Sequence, residues 1–221
     1  MTPPSRDGPL SIHAVVRNRR SERVLDALQT FGETAPYSLI EEGELAAVVS
    51  PAGHGGALAD EPASEQEIQK HGRLVARLLR RSSVVPIPLG LTAEGEGGVK
   101  AFLARQRVSL LEALDYLEDG YELRLHLSAG ESSDAENRLR AVAHHIYEQL
   151  QRQARSARIL TESGGDRILS AAFLIPRGEW IRFVEQVADW EERYPSLRLD
   201  VTGPWAAWDF VHVLAGGEGA T

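Results

Sequence analysis

Tyr121-Glu122-Leu123-Arg124-Leu125-His126-Leu127-Ser128 alternates without a fault. Tyr121, Leu123, Leu125 and Leu127 take one side of an extended chain, and Glu122, Arg124, His126 and Ser128 take the other. Successive side chains of a strand point to opposite faces, so the stretch reads as a strand with one face in a core. The elements beyond it decide the architecture. Ser133-Asp134-Ala135-Glu136 is a capping box opening a long helix that carries Leu139, Val142, Ile146 and Leu150 on one stripe. Arg158–Thr161 is a short strand, Ser163-Gly164-Gly165-Asp166 a turn, and Ile168–Pro176 a strand apolar on both faces and therefore central. Arg177–Tyr194 is a helix with Trp180, Val184, Val187 and Ala188, closed by Pro195, and Leu197–Val201 alternates again. The order is β-α-β-β-α-β.

The first half repeats that order without a repeat in sequence. Leu10–Arg17 places Leu10, Ile12, Ala14 and Val16 on one side and Ser11, His13 and Arg17 on the other, a half-buried strand with Val15 the one exception. Ser21–Phe31 is helical through Val24, Leu25, Leu28 and Phe31, and Gly32 ends it. Tyr37–Ile40 and Leu45–Ser50 form a hairpin around Glu41-Glu42-Gly43-Glu44. Pro51–Pro62 is a loop by composition. Ser64-Glu65-Gln66-Glu67 is a capping box for a helix to Arg81 with the stripe Ile68, Leu74, Val75, Leu78 and Leu79. Pro86 and Pro88 confine Val84–Leu89 to a sheet edge or a polyproline-like segment. Between the halves, Val99, Phe102, Leu103, Leu110, Leu111, Leu114 and Leu117 follow a helical period up to Gly120.

An antiparallel sheet with two helices on one face is the economical packing of this order. The expected fold is α+β, with two ferredoxin-like (βαββαβ) halves joined by a linking helix. The domains are placed at residues 10–90 and 120–214, the second with an aromatic tail, and the linking helical segment at 91–119.

Composition narrows the function. The 221 residues carry 24 Lys+Arg against 32 Asp+Glu, a net charge of −8, which argues against nucleic acid or an anionic membrane as the partner. Zero cysteines exclude a disulfide scaffold, a thiolate metal site and a cysteine nucleophile. The start, MTPPSRDGP, has no apolar signal core, and runs such as Ala171–Pro176 are too short to cross a bilayer, so a soluble cytoplasmic protein is expected. The first nine residues and the tail after Leu214 are expected to be disordered.

Chemistry-bearing patterns are weak. His144 and His145 are adjacent on a helix and diverge by roughly 100°. His13, His54, His71, His126 and His212 are scattered, and solvated or core-edge roles are expected for them rather than a metal site. Glu94-Gly95-Glu96-Gly97-Gly98 lacks phosphate-loop spacing and places glutamates where a phosphate would sit, so a flexible loop is expected. There is no GxSxG elbow and no SxxK pair. The arginine clusters 17/19/20, 77/80/81 and 152/155/158 sit in a loop or at helix C-termini, where cations belong. The expectation is a protein that is not an enzyme and holds no metal, nucleotide or other cofactor.

One stretch stands apart. Thr202-Gly203-Pro204-Trp205-Ala206-Ala207-Trp208-Asp209-Phe210-Val211 follows a strand and packs three large aromatics into six residues. Gly203 and Pro204 suggest a turn off the strand, with an extended aromatic tail placing Trp208 and Phe210 on one side and Asp209 opposite and solvated. Trp205 is expected in the core. The competing reading makes Trp205 or Trp208 an exposed anchor, and for Trp208 both stand.

This stretch resembles the tGPWPPYsFv-like signature of the gas vesicle GvpL/GvpF family. Four other stretches fit in order. Gly43–Pro51 is similar to its dLaAvVSpv segment, His71 with Leu74–Leu79 to its H…vl..l segment, Ser83–Gly90 to its tvlPmrFGt-like strand, and Ile168–Ile175 to its lnaAyLV strand. The chain departs at Ala206-Ala207-Trp208 for Pro-Pro-Tyr, at Asp209-Phe210 for Ser-Phe, at Leu89-Gly90-Leu91 for Phe-Gly-Thr, and at Asp119–Arg124 for E+GVKv. The resemblance implies an accessory protein of gas vesicle assembly with two α+β domains, found at the gas vesicle and in the cytoplasm. It implies binding to the small hydrophobic shell protein GvpA and to other accessory Gvp proteins, and it brings no catalytic residues. The signature residues Gly203, Pro204, Trp205, Trp208 and Phe210 are its structural or interaction candidates. The alternative class is a small-molecule-binding regulatory protein, which requires a deep pocket with convergent polar groups.

Overall fold

The computed structural model describes residues 8–29, 37–52, 63–130, 136–161 and 167–211. Gly32, His54, the helix-opening Ser133, the turn Ser163–Asp166, the loop at 53–62, and the termini through Asp7 and from His212 lie outside them. The chain divides into two compact units, one built from residues up to Glu118 and the other from Asp119–Phe210.

The first unit contains β1 Pro9–Arg17, α1 Ser21–Gln29, β2 Ser38–Glu42, β3 Leu45–Pro51, α2 Glu65–Leu79, β4 Val85–Pro86, β5 Thr92–Glu94, α3 Gly95–Arg105 and α4 Arg107–Tyr116. Its sheet runs β2-β3-β1-β4 with every pair antiparallel, the ferredoxin-like order, and β5 also pairs with β1. Gly43, at φ 57°, opens the two-residue turn between β2 and β3, whose ladder closes at Glu42↔Leu45. The expected cap of α2 is present: the Ser64 hydroxyl accepts the Glu67 N–H, and the Glu67 carboxylate accepts the Ser64 N–H. Its buried stripe is His71, Leu74, Val75, Leu78 and Leu79. Ile68, expected in that stripe, is 55% exposed; burial begins one turn later. Pro86 lies in the edge strand β4, where its missing N–H costs no ladder bond.

Two features of this unit differ from the sequence reading. β1 is buried on both faces, from Leu10 through Val16. A β-bulge at His13, between Ile12 and Ala14, resets the alternation and explains the apolar Val15. Residues 91–119 do not form one linking helix. Thr92–Glu94 pairs with β1, the helix starts within the glycine run at Gly95, and it breaks at Gln106. α3 then packs on β1, β2 and β3, with Val99, Phe102 and Leu103 buried, so the face not covered by α1 and α2 has a cover of its own.

The second unit contains β6 Gly120–Ala129, α5 Glu136–Gln151, β7 Ser156–Ile159, β8 Arg167–Pro176, α6 Trp180–Arg193 and β9 Leu197–Trp205. Its antiparallel sheet runs β7-β8-β6-β9, again the ferredoxin-like order. Leu123, Leu125 and Leu127 stand beside Phe173, Ala171 and Leu169 on one face, and α5 and α6 cover it with Leu139, Ala143, Ile146, Leu150, Phe183 and Val187. Phe173 sits at the centre, its ring 5.1 Å from Phe183 and 5.8 Å from Tyr147. The other face carries Glu122, Arg124 and His126 of β6 beside Leu174, Ala172 and Ser170 of β8.

Candidate interaction site at the C-terminal signature

β9 does not end at a Gly-Pro turn. It continues through Gly203 and a cis Pro204 to Trp205, and those two residues form a bulge: Thr202 faces Arg124 and Trp205 faces Glu122, leaving Leu123 opposite both. Gly203 has φ 126°, and a Cβ there would lie 2.9 Å from both the Glu122 carbonyl oxygen and Leu123 Cδ2. Only glycine lets the two strands approach so closely.

The bulge puts Trp205 outside the core. It is 45% exposed, against the core position expected for it, and its indole N–H reaches the Thr202 hydroxyl at 3.3 Å. The core reading assumed that the chain leaves the sheet at Gly203. In the structure the chain stays on the edge strand, and Ala206 and Ala207 take the buried places instead. Residues Trp208–Phe210 form a 3-10 turn rather than an extended tail, with Trp208 and Phe210 half-buried.

Asp209, expected in solvent, is held by three hydrogen bonds. Its carboxylate accepts from Arg124 Nε at 2.9 Å, its N–H donates to Glu122 Oε2 at 2.8 Å, and its carbonyl accepts from Arg158 Nη1 at 2.6 Å. The register explains this arrangement. Arg124, Ala172 and Arg158 are cross-strand neighbours on β6, β8 and β7, so Asp209 lies over a small residue between two arginines. Glu122 is fully buried and accepts from Arg124 Nε at 2.8 Å through Oε1. Burial pushes its carboxyl up to about 7. The Asp209 N–H and Arg124 pull the other way, while the charge of Asp209 and a side-chain hydrogen bond to it push further up.

The first unit holds a second buried polar cluster. His13 and His71, expected to be scattered, meet with Nδ1 atoms 3.2 Å apart. His71 Nε2 is 3.0 Å from the Ile87 carbonyl, an acceptor only, so that nitrogen carries the proton. His71 Nδ1 then accepts from His13 Nδ1–H, and His13 Nε2 accepts from the Ser50 hydroxyl at 2.8 Å. These three bonds are made with both rings neutral. Burial, then the charges of His71 and Lys70, hold His13 down to about 3; burial also lowers His71, against the pull of the Ile87 carbonyl. With Ser50 and His13 fully buried, the cluster locks the bulge of β1 to α2 rather than presenting a nucleophile. Of the other histidines, His126 bonds Ser170 Oγ at 2.8 Å and His145 lies edge-on to Trp190. Among the described residues no three His, Cys, Asp or Glu side chains converge as metal ligands, and no helix is long and apolar enough to cross a membrane.

The family model described as gas vesicle synthesis protein GvpL/GvpF matches residues 12–137 and 121–212, both units and the signature included. The chain belongs to this family. Gas vesicle protein F1 of Halobacterium salinarum is 23% identical over 167 residues, covering 72% of this chain and 75% of that protein. The crystal structure of GvpF from Anabaena sp. PCC7120 superposes with a TM-score of 0.77 at 17% identity, over 96% of this chain and 99% of that one. GvpF from Microcystis aeruginosa gives a TM-score of 0.71 at 13% identity, over 91% and 98%. The GvpL/GvpF chain described here shares their fold of two antiparallel α+β halves, and its family ties it to the gas vesicle.

Proposed function

We propose that this protein is an accessory factor of gas vesicle assembly that binds the small hydrophobic shell protein GvpA, and other accessory Gvp proteins, at the vesicle and in the cytoplasm. Membership of the GvpL/GvpF family over residues 12–212 carries this reading. The physics suits it: a shell subunit that polymerises through apolar surface needs a soluble partner to shield or nucleate it.

Within that reading, Trp205 is the contact residue. It offers a large amphipathic ring, exposed at the end of an edge strand whose bulge, Pro204, Arg198 and Asp200 discourage strand-on-strand pairing. A side-chain anchor therefore suits this edge better than an added strand. Trp205→Ala is expected to leave the melting temperature within about 2 °C, the range of an exposed substitution. Capture of the purified shell subunit is expected to fall at least tenfold, a loss of about 1.4 kcal/mol. Undiminished capture by the folded variant removes Trp205 from the contact. Failure of the wild-type protein to capture the shell subunit removes the reading itself.

A further inference from the structure

The cluster around Asp209 joins the segment to β6 and β7 through hydrogen bonds and an ion pair, beside the buried Ala206 and Ala207. Two carboxyls, Glu122 and Asp209, converge on one atom, Arg124 Nε, at 2.8 and 2.9 Å. Two like charges sharing one half-buried donor, one of them fully buried, favour a single proton between them. We propose that this cluster is a proton-operated latch: a proton shared by the Glu122 and Asp209 carboxyls fastens residues 206–210 to the second sheet, and its loss to water loosens them.

With the proton in place, the neutral carboxyl of Glu122 donates to the Asp209 carboxylate and still accepts the Asp209 N–H and Arg124. Without it, two carboxylates repel across one guanidinium, and Glu122 carries its charge in a fully buried place. The groups that bond the two carboxyls are these, and His126, the next residue on this face of β6, is bonded to Ser170 Oγ. β6 brings Arg124, and the segment brings Asp209. β7 brings Arg158 to the Asp209 carbonyl. β8 places Leu174 and Ala172 opposite Glu122 and Arg124, and β9 places Trp205 and Thr202 there, none of them titratable. Burial holds the Glu122 carboxyl up to about 7 while the segment is fastened. Once the segment lifts and water enters, the carboxyl returns to the ordinary range near 4.5. The fastened state therefore binds the proton more tightly, protonation favours fastening, and rising pH favours release. Release frees Trp208 and Phe210, half-buried when fastened, within the family signature.

Hydrogen exchange of peptides spanning residues 204–211, read by mass spectrometry on the full chain from pH 5.5 to 8.5, tests the latch. With each rate divided by its intrinsic value, protection is expected to fall by about 10- to 100-fold across this range. Glu122→Gln keeps an acceptor for the Asp209 N–H and supplies a fixed donor for its carboxylate. Its profile is expected to be flat, with the segment fastened throughout. Asp209→Asn removes the second carboxylate and is expected to move the wild-type midpoint to lower pH by a unit or more, which decides the matter should the Gln variant fail to fold. A flat wild-type profile, a sloping one in Glu122→Gln, or an unmoved midpoint in Asp209→Asn overturns the proposal.

Discussion

Gly203→Ala is expected to destabilise the second unit by about 3 kcal/mol or more, the largest effect of any single substitution in the signature. A side chain held at φ 126° costs about 1–3 kcal/mol by itself. The new Cβ also meets the Glu122 carbonyl oxygen at 2.9 Å, and that oxygen belongs to the backbone of β6, which cannot retreat without disturbing its pairing to β8. For a unit of this size the loss is a fall of more than about 10 °C in melting temperature. Gly178→Ala, in the same unit, is the control: its added Cβ meets nothing within 4 Å, and a change of a few degrees at most is expected. Comparable melts for the two variants would show that the strands part at Gly203 more readily than their register implies.

Acid is expected to unfold the first unit well before the carboxylates are exhausted. His13 is held to about 3 and His71 is also lowered, whereas both take up protons near 6.5 once unfolded. The unfolded chain therefore binds protons that the folded unit refuses. Their stabilisation is complete above pH 6.5 and is lost as pH falls below it, by about 1.4 kcal/mol per pH unit for each ring kept neutral. Between pH 6.5 and 4.5 the His13 ring alone removes about 2.5 kcal/mol, a large share of the stability of many domains, and His71 acts in the same direction. Glu122 acts in the opposite sense in the second unit, where its raised value makes acidification from 7 towards 4.5 stabilising. The units must therefore be read separately. All four tryptophans, 180, 190, 205 and 208, lie in the second unit, so their fluorescence follows it, while exchange of β1 amides follows the first. Urea midpoints of β1 protection at pH 7 and pH 5 are expected to differ strongly, and His13→Gln is expected to reduce that difference by one ring's share. Equal midpoints would mean that the rings are protonated in the fold.

The second unit was the more legible in the sequence because its periodicities are undisturbed. β6 alternates from Tyr121 to Ser128, and Ile168–Pro176 is apolar on both faces as a central strand must be. In the first unit the bulge at His13 breaks the period, and α3 covers a face that alternation alone would leave in water. Local signals such as the Ser64–Glu67 box survive because all their atoms lie within one turn. The clusters did not survive, since Glu122 and Asp209 are 87 residues apart and His13 and His71 are 58 apart. Within its own segment, each of these residues looks like an ordinary polar residue on a strand, helix or tail. Trp205 was misplaced for a related reason: a Gly-Pro pair reads equally as a turn or as a bulge, and only the register with β6 distinguishes them.

The strand order has a consequence for synthesis on the ribosome. β6 is the first strand of its unit to be made, yet one of its two neighbours, β9, and the residue that satisfies Glu122, Asp209, are the last. A nascent chain that has emerged as far as α6 contains every helix that covers Leu123, Leu125 and Phe173 in the finished unit. It still lacks the outer strand and one of the two groups that bond the Glu122 carboxyl, the Asp209 N–H. The unit is therefore completed only when the signature itself emerges: a chain cut short before Leu197 retains an open strand edge, and one cut short before Asp209 leaves Glu122 with Arg124 but without the Asp209 N–H.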